Sequence, residues 1–272
     1  MELAISPVKS AAIHLNLPVT QPDRIKTNEE FKAQLTAIKP DAIIVVGYGR
    51  IIPPWMLELP RFGNINLHAS LLPKYRGAAP IQWAIANGET ITGVTTMRID
   101  AGLDTGDILL QKEQPTAREE TAVTLAPTLA AIGADLMAET LSGLAAGTIH
   151  PRPQDNSLAT LAPILKKEDG LIDFSRTAQE IYDRLRGFQP WPGAFTKFRG
   201  KMLHIHEATP APEIAVVAPA HIAIASDRLL LGFANGTALD IHELQVEGKK
   251  RMTARDFING YRPKTDETFG EG

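Results

Sequence analysis

Ala42-Ile43-Ile44-Val45-Val46-Gly47 is a β-branched apolar run with no polar interruption, closed by a glycine. A strand with one wet face alternates apolar with polar residues, whereas a strand covered on both faces need not. The run therefore predicts a central parallel strand, buried on both sides. Just upstream, Asn28 is placed to cap a helix over Glu29–Ile38, with Phe31, Leu35 and Ile38 on one face. Pro40 ends that helix.

Working outward, apolar runs keep alternating with helical patterns up to about residue 147. Strands are expected at Asn64–His68, Thr92–Ile99 and Asp107–Gln111, and helices at Ala79–Ala86 and from Thr121 to Leu144. Such alternation predicts βαβ units and a doubly wound, Rossmann-like α/β domain over residues 1–147. Pro151-Arg152-Pro153-Gln154-Asp155-Asn156-Ser157 then marks a polar, Pro-rich linker, 148–164. Over 165–272 a helix is expected at Ala178–Arg186, then short strands at Ala194–Phe198, Met202–Glu207, His221–Ala225, Leu229–Leu231 and Leu239–Leu244. Strands of that length and spacing predict a small β-barrel or sandwich. Thr253 and Asp256 make a capping pair for a last helix ending at Gly260.

Composition narrows the chemistry. Cysteine is absent, which removes disulfides, thiolate nucleophiles and Cys-ligated zinc. The net charge of −3 gives no bulk attraction for nucleic acid, so such contact requires a local patch. No apolar stretch reads as long enough to span a bilayer, and the N-terminus lacks a signal-peptide pattern. A cytoplasmic protein with no membrane contact is expected. No Gly-x-Gly-x-x-Gly follows a strand, which disfavours a nicotinamide-dependent dehydrogenase.

Asn66 and His68 stand two apart on a strand and so point to one side. A donor amide beside an imidazole suits acyl or formyl transfer: the amide and a protonated imidazole hold the oxyanion, and the neutral imidazole takes the attacking amine's proton. Taken alone, the pair reads first as a hydrogen-bonded core pair. Asp104, in the loop Asp100-Ala101-Gly102-Leu103-Asp104-Thr105-Gly106-Asp107, offers a carboxylate to orient His68 and support its imidazolium. That loop also fits an ordinary Asp- and Gly-rich turn. It is not a calcium loop, because the twelfth position from Asp100 is Gln111. His204 and His206 share a strand face without a third ligand nearby. Lys249-Lys250-Arg251 is either a solvated turn or a phosphate grip.

In this order the motifs resemble the folate-dependent formyltransferase family: Asn66-x-His68, then Ser70-Leu71-Leu72-Pro73, then Leu103-Asp104-Thr105-Gly106. The resemblance implies Asn66, His68 and Asp104 as the catalytic set and Ser70, Leu71, Leu72 and Pro73 against the folate. It implies that Val46, Gly47 and Tyr48 offer backbone groups to the pteridine. Ser6-Pro7-Val8-Lys9, Arg76-Gly77-Ala78-Ala79-Pro80-Ile81-Gln82, Pro190-Trp191-Pro192 and Glu247-Gly248-Lys249-Lys250-Arg251-Met252 are similar to the members that formylate methionyl initiator tRNA. Those features imply 10-formyltetrahydrofolate as donor, no metal, an OB-like C-terminal barrel, Lys249, Lys250 and Arg251 on tRNA phosphates, and a monomer. A formyltransferase for another amine would share the same three residues but leave the basic turn without a use.

The family resemblance also carries an expectation about the start of the chain. Nothing strand-like precedes Ser6, where the family has a strand, a helix and a second strand. A truncated form, or an internal methionine at Met1, is therefore expected, with the strand at Ala42–Gly47 left unpaired on one edge. Such a chain is expected to aggregate readily and turn over poorly.

Overall fold

A computed structural model describes residues 5–211, 217–264 and 267–270. The chain forms two compact units, Met1–Ile43 with Tyr48–Asn64, and Ile44–Gly47 with Ile65–Gly272.

In the first unit, Ser6 caps α1 (Pro7–His14), its hydroxyl accepting from the Lys9 N–H at 3.3 Å. Asn28 caps α2 (Glu29–Ile38) as the sequence predicts, Oδ1 accepting from the Phe31 N–H at 2.9 Å. The helix ends on Lys39, held in the left-handed region at φ 49°, ahead of Pro40. A short helix α3 (Pro54–Leu57), absent from the sequence reading, sets Trp55 edge-on to Phe31 with Lys32 over its ring. The Asn64 amide donates to the Met56 and Leu57 carbonyls, satisfying groups that the helix end leaves open.

The first sheet has the order β1 (Ile43–Val46), β2 (Asn64–His68), β3 (Ile91–Arg98), β4 (Ile108–Pro115). Two expectations need correction. β2 with β3 and β3 with β4 pair antiparallel, so the sheet is mixed and not parallel. The β3–β4 connection covers only 99–107, short of the roughly a dozen residues that a parallel crossover needs. Among the described residues, β1 is also neither central nor buried on both faces. It ends the sheet order, with Ile44 45% and Val46 60% exposed. β-branched composition makes a strand but does not set how many neighbours it has.

One face of this sheet is covered by α5 (Ala122–Ala146), capped by Thr121 and ended by Gly147 at φ 70°. Its buried side, including Leu125, Leu129 and Leu136, packs with Val94 of β3 and with Ile85 of α4 (Pro80–Ala86). Gly133 permits close approach: a Cβ there would fall 2.6 Å from Leu67 Cδ2. At 25 residues, α5 is long and apolar enough to cross a bilayer by length and composition, contrary to the sequence reading. Its apolar side lies on β3 and β4.

After the linker, Thr177 and Glu180 form a capping box at the start of α6 (Ala178–Gly187), which packs on α4. The second sheet is antiparallel, in the order β5 (Ala194–Phe198), β6 (Lys201–Pro210), β9 (Ala238–Val246), β8 (Arg228–Gly232), β7 (Ile222–Ala225), with β10 (Met252–Thr253) on β9. Phe198, Leu203, Phe233, Leu239 and Leu244 fill its core together with Phe257 of α7 (Ala254–Tyr261). Thr253 caps α7 as predicted, but the left-handed terminator is Arg262 at φ 46°, not Gly260.

Candidate active site

Alternation along β2 decides what faces where. Leu67 turns toward Gly133 of α5, which leaves Asn66 and His68 on the opposite face of the sheet, across from Met97 and Thr95 of β3. The chain after His68 folds back over β3. The Thr95 hydroxyl donates to the Ser70 carbonyl at 2.6 Å and accepts from the Leu72 N–H at 3.2 Å, while the Gln111 amide donates to the Leu72 carbonyl at 2.9 Å. Ser70 is fully buried and donates to the Lys74 carbonyl. Leu72 is buried with Met97 and Ile108, Leu71 lies against Gly93, and Pro73 follows a cis peptide bond. Ser70 and Leu72 thus anchor the loop, while Leu71 and Pro73 remain half-buried.

His68 is 5% exposed, and its Nε2 stands 2.8 Å from the Tyr75 carbonyl oxygen. A carbonyl only accepts, so Nε2 carries the proton, and in the neutral ring Nδ1 holds the free lone pair. That nitrogen faces Asp104, with Nδ1 to Oδ2 at 3.7 Å. The gap is too long for a hydrogen bond. The ring is therefore oriented by Tyr75, with the Asp104 carboxylate on its Nδ1 side.

Asp104 itself sits at φ 50°, a left-handed conformation costing a non-glycine residue about 1–2 kcal/mol. Its Oδ2 accepts from the Gly77 N–H at 2.8 Å, and its carbonyl accepts from the Gln154 amide at 2.8 Å. Asp100 is structural, accepting from Thr105 and from the Gly102 N–H within its own turn. Tyr75, at φ 62°, donates its hydroxyl to Glu89, and burial pushes that phenol up to about 12. Asn66 is half-buried, and its side chain has no hydrogen-bond partner among the described residues. An uncommitted amide donor next to a ring nitrogen with a free lone pair is a donor set that fits an acyl carbon under attack by an amine.

The other expected residues lie apart. Val46 ends β1, the strand beside β2, and Gly47 follows it at φ 57°. Tyr48 belongs to the other compact unit and is 38% exposed. Lys249, Lys250 and Arg251 are exposed on the β9–β10 turn, where Gly248 takes φ 73°. Arg251 is ion-paired with Glu243, while neither lysine ammonium has a partner among the described residues. His204 and His206 stack, and burial pushes His204 down. His206 shares a hydrogen bond with Gln245, and no third metal-ligating group joins the two among the described residues.

Sequence reasoning missed Tyr75, Gly77 and Gln154. The first two act through backbone groups that carry no side-chain signal, and Gln154 stands in a stretch that reads as a linker.

A formyl transferase model matches residues 4–141, and a formyl transferase C-terminal domain model matches 164–262. The chain is 65% identical to methionyl-tRNA formyltransferase of Koribacter versatilis, covering 99% of this chain and 86% of that one. It is 59% identical to the enzyme of Acidobacterium capsulatum, over 96% and 84%. An N-formyltransferase from Helicobacter canadensis, solved with folinic acid and dTDP-3-aminofucose, has a TM-score of 0.65 at 20% identity, covering 86% of this chain and 81% of that one. Methionyl-tRNA formyltransferase from Clostridium thermocellum has 0.53 at 24%, covering 71% and 81%. Those two structures share the fold; the sequence relatives carry the lineage. The chain belongs to the methionyl-tRNA formyltransferase family.

Proposed function

We propose that Asn66, His68 and Asp104 carry the transfer of the formyl group of 10-formyltetrahydrofolate to the α-amino group of methionyl initiator tRNA. The supporting observation is the buried His68, locked through Nε2 with Nδ1 turned to the Asp104 carboxylate. The folate supplies an activated formyl group and a nitrogen that can depart. The Asn66 amide donates to the formyl oxygen as negative charge builds there. His68 Nδ1 takes the proton of the attacking amine and can return it to the departing nitrogen. Asp104 stabilises the imidazolium in between.

Val46, Gly47 and Tyr48 hold the pteridine through backbone groups, and Ser70, Leu71, Leu72 and Pro73 wall the folate. Lys249, Lys250 and Arg251 meet tRNA phosphates. Residues 1–147 form a doubly wound catalytic domain and 148–164 a linker, with 165–272 an OB-like barrel. Support for barrel closure comes from the chain end, where Glu267 accepts from the Ile222 N–H and the Gly270 N–H donates to Lys197, spanning β7 and β5. The protein works as a cytoplasmic monomer.

Incubation with 10-formyltetrahydrofolate and charged initiator tRNA should yield formyl-methionine, with the protein eluting at monomer size. Both substrates bound without formyl-methionine would leave a binding protein and no enzyme.

A further inference from the structure

The linker does more than join two domains. Residues 160–162 pair alongside the loop that serves His68 and Asp104: the Tyr75 N–H donates to the Thr160 hydroxyl at 2.9 Å, the Arg76 N–H to the Thr160 carbonyl at 2.8 Å, and the Ala162 N–H to the Arg76 carbonyl at 2.7 Å. Tyr75 is the residue whose carbonyl locks His68, and Gly77 is the one whose N–H holds the Asp104 carboxylate. Gly77 has φ 127°, and a Cβ there would fall 2.5 Å from the Ala162 carbonyl oxygen, so only glycine lets strap and loop lie this close.

Gln154 is the point where the strap reaches Asp104 itself. Its Nε2 donates to the carbonyls of Asp104 at 2.8 Å and Gly106 at 2.7 Å, the left-handed residue itself and the one two positions on. Its Oε1 accepts from Arg76 twice, from Nε at 3.1 Å and from a terminal nitrogen at 2.7 Å, and Arg76 also donates to Asn156. Arg76 is 7% exposed and has no carboxylate partner among the described residues. A buried cation on one side of an amide polarises it and strengthens what the other side donates. A strained backbone conformation persists only where its surroundings over-determine it, and here Gln154 holds the carbonyls of the strained residue and of Gly106 while Gly77 holds its carboxylate.

We propose that Gln154 is a positioning residue for the reaction: with Arg76 it clamps the Asp104 turn so that the carboxylate faces His68 Nδ1. This role rests on the part assigned to Asp104 above. It makes the linker part of the catalytic apparatus.

The test uses the full chain with both substrates. Gln154→Glu keeps the acceptor for Arg76 and loses both N–H donors, and Gln154→Met loses both functions without adding charge. Each should lower kcat by about tenfold to a hundredfold, the range that a misplaced catalytic group produces. KM for folate and tRNA should stay near parental, because only a transition-state interaction is disturbed. Combined with Asp104→Asn, the Gln154→Glu change should cost nothing further, since both act through one carboxylate. Losses that multiply in the double variant, or parental kcat in both single variants, overturn the role of Gln154. A kcat loss that merely follows a falling melting temperature across both variants overturns it too. Parental turnover by Asp104→Asn alone would instead remove the role of Asp104, a separate outcome read from a separate variant.

Discussion

The Asp104 turn and the Lys249–Arg251 turn are built alike and held in opposite ways. Each joins antiparallel neighbours, β3 to β4 and β9 to β10, and each contains a left-handed corner. At the basic turn the corner is Gly248, where positive φ costs nothing, and the lysine cations project freely into solvent. At the acidic turn the functional residue itself takes the strained position, with Gly77 holding its carboxylate and Gln154 its carbonyl. The contrast follows from the roles proposed for the two charges. A carboxylate that supports one nitrogen must be fixed in direction, whereas a phosphate grip acts through a field that tolerates motion.

If that contrast is right, substitutions at the two turns should affect different kinetic quantities. The largest effect belongs to the imidazole that the acidic turn serves. His68→Ala should lower kcat by about a hundredfold to ten-thousandfold, the range for a positioned acid–base, and folate affinity measured by titration should hold. Asp104→Asn should follow, with a loss of about a hundredfold or more, because it keeps shape but not the charge that supports imidazolium. Retained turnover there would erase the contrast.

Lys249→Ala with Lys250→Ala should leave kcat at saturating tRNA unchanged. The log–log salt dependence of tRNA binding should flatten by about one unit for each phosphate no longer neutralised. Arg251→Ala should have the smallest effect, since that guanidinium already pairs with Glu243. An equal loss from Arg251 and either lysine would show that the ion pair opens when tRNA binds.

Legibility followed the same division between side chain and backbone. Asn66 and His68 could be paired from the sequence because side chains alternate along a strand, and in β2 Leu67 turns to Gly133 while Asn66 and His68 stand opposite Met97 and Thr95. Asp104 could be assigned only through the order of motifs, since an Asp- and Gly-rich turn is ordinary in itself. Its left-handed conformation is set by hydrogen bonds from residues 77 and 154, remote in sequence. The apolar run at β1 misled because composition reports strand preference and not sheet position. The antiparallel pairing of β3 and β4 was within reach, as the connecting turn is too short for a crossover. Strands of the second sheet were readable because Gly- and Pro-containing turns punctuate them, although β6 and β9 run longer than the apolar cores that marked them.

The central claim is that His68 works through Nδ1, the nitrogen facing Asp104, with Nε2–H committed to Tyr75. Nitrogen-15 spectra of ring-labelled protein report the tautomer directly, with His68→Ala assigning the signal. The account predicts that the neutral His68 ring carries its proton on Nε2, and that Asp104→Asn leaves this tautomer in place while turnover falls. A neutral ring protonated on Nδ1 would contradict it, because the lone pair would then point at a carbonyl and away from the carboxylate.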